Sequence, residues 1–173
     1  VGNDGGITTA KWGDNTAKYS AGSYSAFCAD NGSNTRTVYD NNLKTYMERR
    51  SVSLAGYSTA TLAFKYWLNS ESGYDVFSVN LRDQAGSWHT LFTDSGNDSG
   101  IGWQTKTMNL DAYAGQTGLY VQFRFDSDST AVNTSPSGVW VDEVSLTAAA
   151  NTPPVLDLTG PASNVTVTQG QSV

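Results

Sequence analysis

Cysteine, histidine and long apolar runs are scarce or missing in this sequence of 173 residues, and each shortage excludes a class of protein. The one cysteine, Cys28, permits no disulfide within the chain and is interpreted as a small buried apolar residue. The one histidine, His89, excludes zinc sites built from two or three histidines. No apolar run approaches the roughly 18 residues that span a bilayer, so we expect no membrane partner.

Charge is also sparse, at 15% of the residues, and acids outnumber bases to give a formal net charge of −6. Binding to a phosphate backbone requires a basic patch, which this sequence lacks, so we expect no nucleic-acid partner. The opening VGNDGG is typical of an internal or processed start. The low lysine content and the loops rich in Asn, Ser, Thr and Gly favour a secreted, extracellular module of bacterial type.

The residues that are abundant favour strands and turns: there are 17 glycines, and aromatic residues make up 12% of the chain. No helix-length window keeps a 3.6-residue apolar period, whereas several segments alternate with a period of two. This pattern predicts an all-β fold, an antiparallel β-sandwich or jelly roll. The predicted strands are residues 9–12, 23–28, 46–54, 60–68, 75–82, 88–93, 103–110, 119–125 and 139–146, with a short turn or single helical turn at 110–116.

The chain is predicted to divide near its end. Residues 148–154, AAANTPP, indicate a linker, since a proline pair cannot join a central strand and stiffens the joint. We therefore predict an accessory jelly roll over 1–147 and the truncated start of a second domain over 155–173, which is too short to bury a core.

Strand parity predicts one outer sheet face with the side chains of a ligand site. In the strands 60–68, 75–82 and 119–125, alternate residues are apolar and face inward, which leaves the others outside. If the three strands share a sheet, aromatic rings lie beside amides and guanidinium groups, a combination that suits the apolar faces and hydroxyls or carboxylates of a sugar chain. The alternative is an ordinary solvated surface, or one covered by a loop. The predicted ligand-binding residues are Trp67, Asn80, Arg82, Tyr120, Gln122 and Arg124.

Three acids fall among core positions by parity: Asp75 beside Phe77, Asp142 beside Trp140, and Glu48 beside Tyr46 and Val52, although Arg50 follows Glu48 on the same side. A buried unpaired carboxylate is costly, so each requires an arginine, backbone donors or a cation. Asp75 and Asp142 each begin the second strand of a hairpin pattern with an acidic loop, which occurs twice, over 60–82 and 118–146. Several carboxylates with loop carbonyls suit Ca²⁺. The alternative is that these acids cap turns and pair with arginines. The predicted structural calcium ligands are Glu71, Asp75, Asp126, Asp128 and Asp142.

An enzyme is not predicted. The segment GNDSG, residues 96–100, has the look of a serine-protease nucleophile loop, but His89 lies only ten residues before Ser99 and no separate triad acid stands out. Two acids suffice for a glycosidase, and Asp126 with Asp128 or Glu71 with Asp75 would supply them. The same acids fit a cation site equally well, and the chain lacks long cleft-forming loops.

Several short motifs occur in a characteristic order. They are Trp12-Gly13, SAGSYS from Ser20, NNL-x-TYM from Asn41, SLAGYS from Ser53, ESGYD-x-FSV from Glu71, Trp103 followed by LDAYAGQ from Leu110, and GVWVDEV from Gly138. Together they resemble the MAM-like jelly-roll modules of secreted bacterial proteins, such as the C-terminal module of immune inhibitor A-type metallopeptidases and similar modules of polysaccharide-degrading enzymes. The resemblance implies a non-catalytic jelly roll, often calcium-containing, attached to a catalytic domain. The segment after the linker resembles the start of an Ig-like or PKD-like repeat, and the metallopeptidase motif His-Glu-x-x-His has no counterpart.

Two functions remain open from the sequence. The first is a carbohydrate-binding module that holds a secreted multidomain enzyme near a polysaccharide or other extracellular polymer. The second is a structural or substrate-recognition module of a secreted protease, without a glycan ligand. The proline-containing linker favours a monomeric module in either case.

Overall fold

The computed structural model describes residues 1–4, 9–97, 100–130 and 134–150. These residues form ten strands, and the predicted helical turn is a 3-10 turn at Asp111–Tyr113. The all-β prediction is confirmed. The strands are β1 (Gly2–Asn3), β2 (Lys11–Asn15), β3 (Ser25–Asp30), β4 (Lys44–Val52), β5 (Tyr57–Asn69), β6 (Val76–Arg82), β7 (Trp88–Asp94), β8 (Gln104–Asn109), β9 (Leu119–Asp126) and β10 (Gly138–Ala150).

The strands form two five-stranded antiparallel sheets that pack as a sandwich. Sheet A has the order β1-β4-β9-β6-β7, and sheet B has the order β2-β3-β10-β5-β8. Each of the nine predicted strands overlaps an observed one, because each carried an alternating pattern long enough to recognise. Only β1 was missed, since two residues are too few to show a period.

The core lies between the sheets and is rich in aromatic rings. Phe64 of sheet B meets Phe77 and Phe123 of sheet A edge to face, with ring centroids 6.3 and 5.1 Å apart. Burying one large apolar side chain contributes about 1.5–3 kcal/mol, so this layer is the main source of stability. Parity predicted its members correctly: Leu62, Phe64, Tyr66, Leu68, Phe77, Val79, Leu81, Leu119, Val121, Phe123 and Phe125 are all buried.

A second aromatic cluster lies on the outer face of sheet B, and it corrects the prediction for Trp67. This residue is in β5 of sheet B, whereas the other predicted ligand residues are in β6 and β9 of sheet A. Trp67 lies opposite Trp140, with ring centroids 5.1 Å apart, and is only 4% exposed. The loop 16–24 covers the pair and places the Lys18 ammonium 3.9 Å from the centre of the Trp67 ring.

The end of the jelly roll differs slightly from the predicted boundary. Strand β10 continues to Ala150, three residues into the segment expected to be a linker, because Ala148, Ala149 and Ala150 still pair with β5. The remainder of that linker and the predicted second domain, 155–173, lie outside the described residues. Within the described ranges, no helix has the length and apolar character needed to cross a membrane.

Candidate functional site

A groove with a volume of about 470 Å³ lies on the outer face of sheet A. Its floor consists of the residues of β4, β6 and β9 that alternate with core positions, so the same parity that fills the core fills the groove. Five of the six predicted ligand residues line it; Trp67 does not. The groove residues are Asp4, Tyr46, Glu48, Arg50, Asn80, Arg82, Trp88, Tyr120, Gln122 and Arg124.

The strand register arranges these side chains in rows across the sheet, and the first row is aromatic and cationic. Arg82 lies opposite Trp88 on one side and Tyr120 on the other. The Arg82 guanidinium is 5.1 Å from the centre of the Tyr120 ring, and that of Arg50 is 5.5 Å from it. Trp88 and Tyr120 meet edge to face at 6.5 Å. Trp88 is 48% exposed, so this row offers an indole to solvent.

The second row is a chain of hydrogen bonds over four strands. The Thr90 hydroxyl donates to the Asn80 carbonyl at 2.9 Å, and the Asn80 amide donates to the Gln122 carbonyl at 3.5 Å. The Gln122 amide then donates to the Glu48 carboxylate at 3.2 Å. Arg50 closes the row with an Nε–H bond of 2.5 Å to the same carboxyl group. The amides are therefore oriented by the protein itself.

The third row is built around Arg124. Its Nε donates to Asp126 at 2.6 Å, and its Nη1 donates to Asp4 at 2.5 Å. The hydrogen bonds from Arg124 to these two carboxylates raise the pKa of its guanidinium above the ordinary value, so its charge is fixed. Tyr46 lies opposite Arg124 on β4. Because the carboxylates of Asp126 and Asp4 both bind its guanidinium group, Arg124 is a fixed point at this end of the groove.

Sequence reasoning missed half of the groove. The parity prediction for Glu48 is wrong: Tyr46, Glu48 and Arg50 line the groove on the outer face. Val52 and Leu54 made this parity resemble the core side, but an irregularity in the register between Arg49 and Val52 reverses the faces and sets Val52 opposite Leu119. Trp88 follows Arg82 after a short turn, so hairpin register alone was enough to place the two side by side. Asp4 had no pattern to mark it.

Three of the five predicted metal ligands come together at one end of the sandwich. Carboxylate oxygens of Glu71, Asp75 and Asp128 all lie within 4.8 Å of one another. The structure does not bring the other two predicted ligands, Asp126 and Asp142, into this cluster. Asp126 shares the outer parity of Arg124 and pairs with it, while Asp142 lies on the outer face of sheet B and accepts the backbone N–H groups of Ser20 and Ala21.

The carboxyl group of Asp75 is the buried member of the cluster, with 0% of the residue exposed. It accepts hydrogen bonds from the Tyr39 hydroxyl and, at 2.9 Å, from the Asp128 N–H. Burial nevertheless raises the pKa of Asp75 above its ordinary value, because these donors do not fully replace water. Among the described residues, no lysine or arginine forms an ion pair with Glu71, Asp75 or Asp128. This set of hard oxygen donors fits a divalent cation.

The histidine and the cysteine of the chain both have contacts typical of structural residues. His89 Nε2 lies 2.7 Å from Asp83 in the turn between β6 and β7. Cys28 is fully buried, and burial raises the pKa of its thiol to about 12, so it behaves as an apolar residue. Residues 98 and 99 of the GNDSG segment lie outside the described ranges.

Comparison with solved structures shows the fold. The chain is similar to the carbohydrate-binding module TmCBM61, solved with β-1,4-galactotriose, with a TM-score of 0.51 and 10% identity, over 77% of this chain and 76% of that one. A family 16 carbohydrate-binding module has a TM-score of 0.49 and 12% identity, over 80% and 86%. CBM27-1 of Caldicellulosiruptor saccharolyticus, solved with mannohexaose, has 0.48 and 11%, over 77% and 80%. No protein-family model and no curated protein sequence matches the chain.

Proposed function

We propose that this protein is a non-catalytic carbohydrate-binding module that holds a polysaccharide chain in the groove of sheet A. The observation that carries the proposal is the groove itself, in which an exposed indole lies beside amides and guanidinium groups on one rigid sheet. The fold shared with TmCBM61 is compatible with this function, but similarity at 10% identity supports the fold alone.

Each row of the groove suits a different part of a sugar. The apolar C–H face of a pyranose stacks on Trp88, which is open to solvent beside Tyr120. The amides of Asn80 and Gln122 offer donors and acceptors to ring hydroxyls. Since these groups are already oriented by neighbours, little side-chain freedom is lost when a ligand binds.

The direct test is affinity electrophoresis of the full chain against a panel of neutral and acidic polysaccharides, followed by calorimetry on any polymer that retards it. We expect Trp88→Ala to abolish retardation while the melting temperature stays within a degree or two of the wild type, because this indole is half exposed. Tyr19→Ala removes an exposed aromatic ring outside the groove and is the matched control. Retention of binding in Trp88→Ala would reject this groove as the ligand site.

We propose further that the cluster of Glu71, Asp75 and Asp128 holds a structural Ca²⁺. Three carboxylates converge there without a described cationic partner, and the buried Asp75 carries a charge that burial disfavours. A bound cation supplies the missing counter-charge. The ion ties together the loop before β6 and the segment that follows β9, so its role is to fix the fold rather than to touch the sugar.

Calorimetric titration with Ca²⁺ and melting curves with and without a chelator test this site. We expect calcium to raise the melting temperature of the wild type, and Glu71→Gln, which removes a partly exposed ligand, to reduce that shift. Asp111→Asn changes an acid of the 3-10 turn outside the cluster and is the control. Equal shifts in all three proteins would rule out the cluster as the binding site.

The proposal extends to the setting of the module. We expect a monomeric, secreted module tethered to a polysaccharide-degrading enzyme, with a jelly roll that ends at Ala150, a linker and the start of an Ig-like or PKD-like domain at 155–173. The MAM-like motifs support this setting. Sequencing of the complete coding region tests it: a polysaccharide-degrading domain is the expected result, and a peptidase domain would favour the structural module of a protease instead.

A further inference from the structure

Three guanidinium groups line the groove, and two of them are neutralised by the protein. Arg124 is paired with Asp4 and Asp126, and Arg50 is paired with Glu48 at 2.5 Å. Arg82 differs from both. Among the described residues, no carboxylate lies within ion-pair range of its guanidinium group. Within the part of the chain that the structure describes, Arg82 is therefore the groove guanidinium that has no carboxylate partner.

The Arg82 guanidinium is nevertheless held in place. Its Nε donates to the Gly86 carbonyl at 3.1 Å, and its Cζ lies 5.1 Å from the centre of the Tyr120 ring. Glycine suits this turn because its φ is +92°, and a Cβ there would lie 2.9 Å from Arg82 Nη2 and displace the guanidinium group. With Nε used by the turn, the terminal nitrogens keep their donors for a ligand. This charge is fixed in position before any ligand arrives.

We infer that the polysaccharide bound by this groove carries hexuronate residues, and that Arg82 recognises their carboxylate. The inference rests on the proposed carbohydrate-binding function and specifies its substrate class. Arg82 lies directly opposite Trp88 in the register of β6 and β7. A pyranose stacked on this indole presents its ring substituents around its edge, so a carboxylate on C5 reaches the neighbouring guanidinium. Planar guanidinium groups bind carboxylates with paired N–H donors.

The distribution of charge supports a ligand with isolated carboxylates rather than a densely anionic polymer. The chain has a net charge of −6, which repels polyanions at long range. That repulsion is screened beyond about 8 Å at physiological ionic strength, whereas a contact between Arg82 and one carboxylate is direct. A polymer with a uronate side group or with occasional uronate residues satisfies both conditions.

The test compares each acidic polymer with its own neutral derivative. Glucuronoxylan, which carries isolated uronate side groups, and polygalacturonate, the densely anionic comparison, are titrated into the full chain in 0.15 M salt, each before and after chemical reduction of the carboxyl groups to alcohols. We expect reduction of the carboxyl groups to weaken binding of at least one polymer about tenfold. We expect Arg82→Gln to bind the acidic form of that polymer as weakly as the wild type binds the reduced form. For the reduced form, the affinity of Arg82→Gln should equal that of the wild type.

The control is Arg49→Gln, which removes the same charge from an exposed position outside the groove. It should keep the preference for the acidic polymer. Equal binding of acidic and reduced polymers, with Trp88→Ala still inactive, would overturn the uronate inference and leave the carbohydrate-binding function standing. Absence of binding to every polymer would overturn both. A lost preference in Arg49→Gln as well as Arg82→Gln would show that net charge rather than Arg82 selects the ligand.

Discussion

At the scale of single residues, Trp67 and Trp88 show how the same side chain serves two purposes on one sandwich. Both project from a sheet face that points away from the core between the sheets. Trp67 is covered by the loop 16–24, with Lys18 against its ring, and is 4% exposed. Trp88 is uncovered and 48% exposed. Of the two, Trp88 is the one open to solvent, so exposure rather than residue type singles it out for the proposed ligand contact.

Replacing Trp67 by alanine is expected to damage the fold. The change removes the contact with Trp140 and leaves a cavity beneath Lys18, which by comparison with other buried aromatics costs about 3–5 kcal/mol. Guanidinium chloride denaturation measures the loss, with Trp88→Ala as the matched variant. A loss in Trp67→Ala below about 1 kcal/mol would show that the loop 16–24 does not pack tightly on the ring.

At the scale of elements, the turn between β6 and β7 supports the first row of the groove. Asp83 accepts the Ser87 N–H at 2.8 Å and pairs with His89, and the same turn presents the Gly86 carbonyl to Arg82. The hydrogen bonds from His89 and Ser87 lower the pKa of Asp83 below its ordinary value. A change in this turn therefore reaches both Arg82 and Trp88.

The turn is expected to be sensitive to acid. Because the pKa of Asp83 is depressed in the folded state, its contribution to stability is present above the unfolded pKa of about 3.9 and is lost as the pH falls through the folded pKa. We expect Asp83→Asn to lower the melting temperature at pH 7 and to have a much smaller effect near pH 3. Asp14→Asn, a change on sheet B, is the control. The same deficit at both pH values would contradict this account.

Local pattern predicted these elements well, because alternation is a property of each strand alone. It placed Arg82, Tyr120 and Arg124 on an outer face, and placed Phe77, Val79 and Phe123 in the core. It failed for Asp142 for an instructive reason. The alternating pattern predicts that Trp140 faces the core between the sheets, but Trp140 packs on the outer face of sheet B beneath a loop, and Asp142 lies on that same face.

At the scale of the whole molecule, the assignment of strands to sheets was beyond the sequence. The consecutive strands β5 and β6 belong to different sheets, β5 to sheet B and β6 to sheet A. The segment 60–82, predicted as a hairpin, is therefore a crossover between the two sheets. Pairing of distant strands depends on contacts that no local pattern records. That is why Trp67 was placed with Tyr120 on one face, and why only three of the five predicted metal ligands converge.

The end of the jelly roll gives a prediction at this scale. Ala148 pairs with Ala60, which is 1% exposed, and Ala150 pairs with Tyr57. We expect a chain ending at residue 150 to melt at the same temperature as the full chain. A chain ending at residue 147 should melt several degrees lower, since the first residues of β5 lose their partners on β10. Calorimetry distinguishes them. Equal melting of both truncated chains would show that the last three residues of β10 add nothing to stability.

The hydrogen-bonded row from Thr90 through Asn80 and Gln122 to Glu48 runs in one sense, with hydroxyl and amide donors all directed toward the carboxylate. A sugar chain also has a sense, because its reducing and non-reducing ends differ. A floor with this polarity distinguishes the two ways in which such a chain can lie upon it. Under the proposed function, the groove therefore favours one direction of the bound polymer over the other.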